Sequence, residues 1–224
     1  MPPVTLRRPY PSVKKEAERT YGGCQNWLSN AAAQRSGCGL VAAADLLIYL
    51  HRYHSGCAME FFRELPARDP IPADIYDYYA HRLRRRYFPI AASFGLNAFL
   101  LALGMNRFFR DNGLSLRARW GVRRKHFWQT VRSMLERDLP VILCVGINFP
   151  IPWGKKQLPF YTQEKGGEYR PATAAHAHYV AITGMDGDWL RVSSWGREYH
   201  IRREEYDRYR KKHSCGLYSN ILRL

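Results

Sequence analysis

Cys38 is the residue of this chain whose neighbours most clearly suggest covalent chemistry. It is flanked by Gly37 and Gly39 and is followed at once by an Ala- and Leu-rich run. In the first turn of a helix, unpaired backbone N–H groups and the helix dipole favour a thiolate, which is the nucleophilic form of cysteine. Because glycine has no Cβ, Gly37 and Gly39 would let a substrate backbone approach the sulfur closely. The three residues therefore form a candidate nucleophile with candidate substrate-binding flanks.

The run that follows Cys38 predicts the helix that would position it. Between Leu40 and Leu50 the one charged residue is Asp45, and apolar residues recur at the i, i+3, i+4, i+7 spacing of a helix. Apolar residues fill most of the other faces too, which indicates a central helix buried on nearly all sides. Ser36 is a suitable N-cap residue, and the polar residues 51–54 mark the end of the helix.

A structural cysteine is the alternative interpretation of Cys38, because cysteine is among the most often buried residue types. Cys24 is a rival nucleophile in the loop 21–27, but no helix start follows it. Catalysis at Cys38 also needs a base, which must come from another part of the chain.

A hairpin that carries histidine is predicted between residues 175 and 196. Asp186-Gly187 is a strong signal for a two-residue turn between strands. If the residues on either side of this pair face each other, His178 and Ser193 lie on one face of the hairpin as diagonal neighbours. The hairpin would then supply the base together with a hydroxyl group beside it.

His176 is a lesser candidate for the base. It precedes His178 by two residues, so on a continuous strand the two imidazoles would share a face. A rim residue without catalytic role is the alternative interpretation of His176.

Periodicity and turn signals predict the remaining elements. Amphipathic spacing and breaker residues favour helices at 12–19, 74–86, 95–110 and 125–136. Strand-type patterns occupy 114–121 and the apolar run 140–147, which we expect to be a central strand with Cys144 in the core. Residues 148–175 lack periodicity and predict a long loop, which in a compact domain is typically a lid or a binding loop.

Composition places the chain among globular proteins. It has 224 residues, of which 46% are hydrophobic, enough for a sizeable core. No run of about 18 uncharged apolar residues predicts a membrane span, and the N-terminus lacks the apolar core of a signal peptide. Five cysteines without a C-x-x-C pair argue against a disulfide framework or a zinc ribbon, which fits a reducing compartment, and we expect a cytoplasmic protein.

The formal net charge is +16, with basic clusters at 82–86, 117–125 and 202–212. Such an excess attracts polyanions, so acidic proteins, acidic lipid and nucleic acid are possible partners. No zinc-finger, RNP-like or KH-like motif accompanies the charge. A solvated basic surface without a specific partner is therefore the simpler interpretation.

The order of these segments resembles the papain-like cysteine peptidases. In that superfamily a cysteine opens a helix, a histidine begins a strand of the pattern His-x-Val-x-x-x-Gly, and a second strand ends in Asn/Asp-Ser-Trp-Gly. The matching segments here are Ser36-Gly37-Cys38-Gly39, residues 178–184 and Ser193-Ser194-Trp195-Gly196. The chain looks most like the bacterial branch related to bacteriocin leader-processing peptidases, where Gly-Cys-Gly opens an Ala/Leu-rich helix. The resemblance covers residues 21–50 and 125–223.

The resemblance implies an α+β fold of papain-like type in one domain spanning residues 1–224. A helical lobe with a central cysteine-bearing helix would pack on an antiparallel β-sheet lobe. The corresponding boundaries are an N-terminal arm at about 1–20, a mainly helical lobe at 21–125 and a mainly β lobe at 126–224. The superfamily requires no cofactor and no metal, and its partners are peptide or protein substrates.

The resemblance also implies roles for the site residues. Cys38 would be the thiolate nucleophile, and His178 its imidazolium partner and later the general acid. The Cys38 backbone N–H and an upstream glutamine side chain would form the oxyanion hole. We favour Gln25 over Gln34, which lies only four residues before the nucleophile. Asn26, beside Gln25, is a lesser candidate.

The strand end shows both agreement with the family and one departure. Trp195 begins the Trp-Gly turn and is a candidate substrate-binding residue. Family members place Asn or Asp where this chain has Ser193, and a hydroxyl orients an imidazole less firmly than an amide or carboxylate. The expected function is a cysteine peptidase or related amide hydrolase. A catalytically weak peptide-binding module and a basic surface or nucleic-acid binder on the same fold are the alternatives.

Overall fold

The computed structural model describes residues 2–90, 95–164 and 166–224 and shows an α+β protein, as predicted. The chain divides into two compact units. The helical unit contains residues 8–120, the turn 194–197 and Leu224. The β unit contains the residues before Arg8 together with 121–193 and 198–223.

Six α-helices and twelve strands are present in the described residues. The helices are α1 (Ala31–Ser36), α2 (Cys38–Tyr53), α3 (Ala73–Arg86), α4 (Ala98–Asp111), α5 (Phe127–Glu136) and α6 (Arg203–Lys212). The strands are β1 (Val4–Thr5), β2 (Val13–Lys15), β3 (Glu18–Arg19), β4 (Ile71–Pro72), β5 (Arg119–Trp120), β6 (Val141–Val145), β7 (Leu158–Gln163), β8 (Tyr169–Ala175), β9 (His178–Asp186), β10 (Trp189–Ser194), β11 (Arg197–Arg202) and β12 (Ile221–Arg223).

The central helix α2 of the helical unit confirms the prediction for the run after Cys38. Every residue from Gly39 to Leu50 is buried, including Asp45. The predicted N-cap is wrong, because Ser36 is the last residue of the short helix α1 and Gly37 occupies the cap position of α2. Cys38 is therefore the first helical residue.

Three further helices confirm the amphipathic patterns. α3 and α4 lie in the helical unit and α5 in the β unit, each within three residues of its predicted bounds. The apolar residues that set each pattern are buried, Leu83 in α3, Met105 in α4 and Val131 in α5 among them. Burial of one face is what makes the helical period visible in a sequence.

The predicted helix at 12–19 is wrong. These residues form the antiparallel pair β2 and β3, and β4 pairs with β2 in parallel. Val13 is fully buried and lies opposite Ile71. The extended conformation of this segment depends on a strand partner nearly sixty residues away. A local sequence pattern does not indicate such a partner.

The β unit is built on an antiparallel sheet. Its strands run in the order β12-β6-β9-β10-β11-β7-β8, with β1 added on β9. All five residues of β6 are buried, which confirms the predicted central strand and the core position of Cys144. β6 pairs with the first half of β9, from His178 to Ile182.

The long loop predicted at 148–175 is largely wrong. β7 and β8 form an antiparallel hairpin there, with Lys165 outside the described residues. Most of β8 is exposed on both faces, so its sequence lacks the alternation that marks a half-buried strand. A real loop remains at 146–157, between β6 and β7.

The strand predicted at 114–121 is reduced to Arg119–Trp120. Just before this strand, the backbone of Ala118 is hydrogen-bonded to the side chain of Asn106. The Asn106 amide donates to the Ala118 carbonyl at 2.8 Å, and the Ala118 N–H donates to Asn106 Oδ1 at 2.8 Å. Backbone groups satisfied by a side chain need no neighbouring strand.

None of the described helices has both the length and the hydropathy needed to cross a bilayer.

Candidate active site

Cys38 begins α2 at a sharp junction between two helices. Its side chain is half-buried, whereas Cys24, Cys57 and Cys144 are buried. Gly37 has a structural reason to be glycine, because a Cβ there would clash with the carbonyl oxygen of Ala33 in α1. Close packing of α1 on the start of α2 therefore requires glycine here, and the expected role of Gly37 in substrate approach stays a prediction. Gly39 is buried in the helix.

The buried carboxyl group of Asp45 lies two turns after Cys38 on the same helix. It accepts hydrogen bonds from Tyr76 Oη at 2.7 Å, from the Gly23 N–H at 3.0 and 3.2 Å, and from Tyr10 Oη at 3.5 Å. Burial raises the pKa of Asp45 to about 7, although the hydrogen bonds from Tyr76, Gly23 and Tyr10 act to lower it. Asp45 therefore fastens the loop before Cys24 to the central helix.

Sequence reasoning noted Asp45 but gave it no role. The available signal was its isolation, since it is the one charged residue in an apolar helical run. A buried charge needs several donors, and its presence in such a run predicts a tertiary anchor even when the partners cannot be named.

Gln25 and Gln34 link that loop to α1. Gln25 Nε2 donates to the carbonyl oxygens of Gln34 at 3.2 Å and Arg35 at 3.3 Å, and Gln34 Nε2 donates to the Asn26 carbonyl at 3.0 Å. The Gln25 amide thus lies at the end of α1, directly before the helix that Cys38 begins. Asn26 takes part through its backbone and is exposed.

The Trp-Gly turn also packs in the helical unit. Trp195 and Gly196 both have positive φ, 49° and 74°, and the Gly196 carbonyl accepts a hydrogen bond from Tyr21 N at 2.8 Å. A Cβ on Gly196 would lie 2.8 Å from the Trp27 ring and 3.4 Å from Cys24 Cβ. The loop 21–27 therefore needs a glycine at this point of the turn.

His178 is the first residue of β9 in the β unit. It lies opposite Val145 of β6, is only 7% exposed, and has its ring centroid 6.4 Å from that of Phe160. Burial lowers the pKa of His178 to about 3. The imidazole is neutral at pH 7, so it can accept a proton, but it does not rest as an imidazolium.

The predicted register of the hairpin is wrong. Gly187 and Asp188 are the loop residues, because Asp186 pairs with Trp189, and the register shifts once more between Arg191 and Val192. Gly187 has a φ of 51°, which suits the first position of a two-residue loop.

This register separates Ser193 from His178. Ser193 lies opposite Ala181, three residues from His178 on a regularly paired stretch of β9. Because side chains alternate along a strand, Ser193 and His178 lie on opposite faces of the sheet and are not diagonal neighbours. By the same alternation, Ser194, the last residue of β10, lies on the other face from Ser193.

His176 does not share a strand face with His178. It lies in the bend between β8 and β9, where Ala177 has a φ of 50°. Its Nδ1 is buried and makes no hydrogen bond among the described residues. The positive φ breaks the alternation on which the prediction relied.

Basic side chains line a hollow of the β unit beside α5. Its charged and hydroxyl side chains belong to Arg123, His126, Thr130, Ser133, Arg137 and Arg223. The described lining contains no carboxylate, and Arg223 Nε is buried without a hydrogen-bond partner. Such a lining favours an anionic ligand.

The described residues contain no group of three or more His, Cys, Asp or Glu side chains arranged to hold a metal ion. The comparisons with known proteins give no match, whether with a protein-family model, a curated protein or a solved structure.

Titration of Asp45 provides a test of the buried network. An acid whose pKa is raised by folding stabilises the protein below its unfolded pKa, and this contribution is lost as the pH rises towards about 7. Relative to Asp45→Asn, wild type should therefore lose up to about 1.4 kcal/mol of unfolding free energy per pH unit between roughly pH 4 and 7. Urea unfolding of both proteins across this range measures the difference.

The matched control is Asp186→Asn, which removes an exposed carboxyl group from the hairpin. Its unfolding free energy over the same range gives the baseline for the loss of an exposed carboxyl group. A difference between wild type and Asp45→Asn that does not change with pH would contradict the assignment of a raised pKa to Asp45.

Proposed function

We propose that this chain is a papain-like cysteine peptidase or related amide hydrolase with Cys38 as nucleophile. The observation that carries the proposal is the position of Cys38: it is the first residue of a buried sixteen-residue helix, and its side chain is half-buried where those of Cys24, Cys57 and Cys144 are buried. The dipole of the helix favours negative charge on a sulfur atom at its start. The family pattern in the sequence adds His178 as its partner.

The neutral state of His178 determines how the proposed reaction would begin. In the proposed reaction the neutral imidazole takes the Cys38 thiol proton while the sulfur attacks the amide carbon. Burial, which lowers the pKa of His178 to about 3, makes this imidazole a weak base, so a slow reaction is expected. The tetrahedral intermediate collapses when the imidazolium gives this proton to the leaving amine. Water, deprotonated by the same imidazole, then attacks the thioester and releases the acid and the thiol.

The oxyanion would be held by the Cys38 N–H and by the Gln25 amide. Both described bonds of Gln25 Nε2 go to carbonyl oxygens of α1 and are 3.2 and 3.3 Å long. Gln25 would exchange one of these bonds for the oxyanion, whose negative charge makes it the stronger acceptor. Gln34 is the weaker candidate because it is exposed and its amide already donates to the Asn26 carbonyl in the loop 21–27.

Ser194 replaces Ser193 as the proposed orienting residue. Ser193 lies on the sheet face opposite to His178, so its hydroxyl cannot hold the ring. Ser194 is buried and lies on the other face of β10. A hydroxyl there orients the imidazole less firmly than the Asn or Asp of the family would.

Thiol reactivity tests the nucleophile. Burial raises the pKa of Cys24 and of Cys57, so both should react slowly with iodoacetamide at neutral pH. Cys38 should be the first thiol modified, as measured by peptide mapping against time. Cys215, which is also half-buried, is the matched comparison. Labelling of Cys215 or Cys24 ahead of Cys38 in the native protein would contradict the assignment.

Replacing the two serines separately tests the register-based assignment. Ser194→Ala should slow amide cleavage about threefold to tenfold, since a hydroxyl contact contributes about 0.5–1.5 kcal/mol. Ser193→Ala should leave the rate unchanged. His178→Ala should abolish cleavage and slow Cys38 alkylation, because it removes the base. The readouts are initial rates on peptide substrates and alkylation kinetics.

A loss with Ser193→Ala but not with Ser194→Ala would contradict the proposed orienting residue. If Cys38 is alkylated at the wild-type rate in His178→Ala but slowly in His176→Ala, the base is His176. Normal Cys38 labelling without cleavage of any peptide would favour the peptide-binding module over the enzyme.

The basic hollow beside α5 favours a second candidate function, polyanion binding. Arg123→Gln with Arg223→Gln should lower the salt concentration at which the protein elutes from heparin. With two fewer arginine contacts, binding releases fewer counterions from the heparin and is therefore weaker. Arg85→Gln with Arg110→Gln, which removes the same charge from exposed positions of α3 and α4, is the matched control. Equal effects of both pairs would indicate general charge attraction and no site.

A further inference from the structure

The loop between β6 and β7 presents large apolar side chains to solvent. Phe149, Ile151 and Trp153 are 47%, 53% and 82% exposed. A tryptophan exposed to this extent leaves most of its apolar ring in water, which is unfavourable unless a partner covers it.

Hydrogen bonds between Asn148 and Lys156 close the loop at its two ends. The buried amide of Asn148 donates to the Lys156 carbonyl at 3.0 Å, and the Lys156 N–H donates to Asn148 Oδ1 at 3.2 Å. Within the loop, Gly154 N donates to the Ile151 carbonyl at 2.9 Å. A Cβ on Gly154 would lie 2.8 Å from Asn148 Oδ1, so the closure requires glycine. The apolar tip is therefore presented in a defined conformation.

The segment after α6 adds to the same surface. Phe149 N donates to the His213 carbonyl at 3.0 Å, and the Phe149 ring centroid lies 6.1 Å from that of Tyr218. Leu217, beside Tyr218, is 50% exposed. In the described part of the β unit, Phe149, Ile151, Trp153 and Leu217 are the exposed large hydrophobic residues.

The side-chain charges of the two segments that carry these residues are all positive or neutral. Lys155 and Lys156 follow the loop tip, Lys211 and Lys212 end α6, and all four are exposed. Neither 146–163 nor 208–224 contains an Asp or a Glu residue. We call the surface formed by Phe149, Ile151, Trp153, Leu217 and these four lysines the apolar–basic patch.

We propose that the apolar–basic patch docks the β unit on the surface of an anionic lipid bilayer. The apolar side chains are exposed on one short loop beside lysines, so they fit a partner that is both deformable and anionic, as the headgroup region of such a bilayer is. Tryptophan is favoured at that depth, and lysines beside it contact lipid phosphates. This inference is independent of the proposed catalytic chemistry.

Co-sedimentation with vesicles tests the proposal on the full chain. Wild type should bind vesicles that contain phosphatidylglycerol and should bind phosphatidylcholine vesicles weakly. Ile151→Ser with Trp153→Ser should weaken binding on the order of tenfold, through the apolar area no longer buried. Phe99→Ser with Leu103→Ser is the matched control, because these residues of α4 are 56% and 65% exposed in the helical unit. It should bind as wild type does.

Charge is tested by a second pair of variants. Lys155→Gln with Lys156→Gln should weaken binding about fivefold per lysine. Lys14→Gln with Lys125→Gln, which removes the same charge at exposed positions outside the patch, should have a much smaller effect. Quenching of tryptophan fluorescence by brominated lipid should largely disappear in Trp153→Phe.

Two results would overturn the proposal. One is equal loss of binding in the patch variants and their controls, which would indicate unspecific attraction to the net positive charge. The other is the absence of wild-type binding to either vesicle, which would leave a protein partner as the occupant of the patch.

Discussion

The buried carboxyl group of Asp45 is the interaction on which the architecture of the helical unit depends. A carboxyl group inside an apolar helix is unfavourable unless donors surround it, and three separate segments provide them through Tyr10, Gly23 and Tyr76. Each of these segments is thereby fixed relative to α2. Gly23 lies so close to the Tyr76 ring that a Cβ would clash, so this arrangement of the donors requires glycine at position 23.

The position of the candidate oxyanion donor follows from that anchor. Gly23 is held to the central helix, and Gln25, two residues later, bonds the last carbonyl groups of α1. Gly37 then allows α1 to pack tightly on the start of α2. Hydrogen bonds between backbone and side-chain groups thus determine the geometry before Cys38. Such bonds give a loop a defined conformation.

Burial and surface charge divide the titratable groups of the β unit into two classes. His178 and His200 are buried, and burial lowers their pKa values to about 3 and about 4, so both are neutral where enzymes usually work. The basic residues of the hollow beside α5 and of the apolar–basic patch remain mostly in contact with solvent. Most of the net charge of +16 therefore lies at surfaces, and in the described part of this unit the buried Asp and Arg residues are Asp138 and Arg210.

The elements whose pattern is local could be predicted from the sequence alone: helices α2 to α5, the central strand β6 and the existence of the hairpin after His178. Each buries one face or all of its faces, and burial imposes a period on the residue types. The strand partner of Val13 and the register that separates Ser193 from His178 became known only from the folded chain. Pairing between distant strands, and a one-residue shift inside a hairpin, leave the composition of a segment unchanged. The hydrogen-bond donors to Asp45 could not be predicted from the sequence either, because they come from segments far apart in the chain.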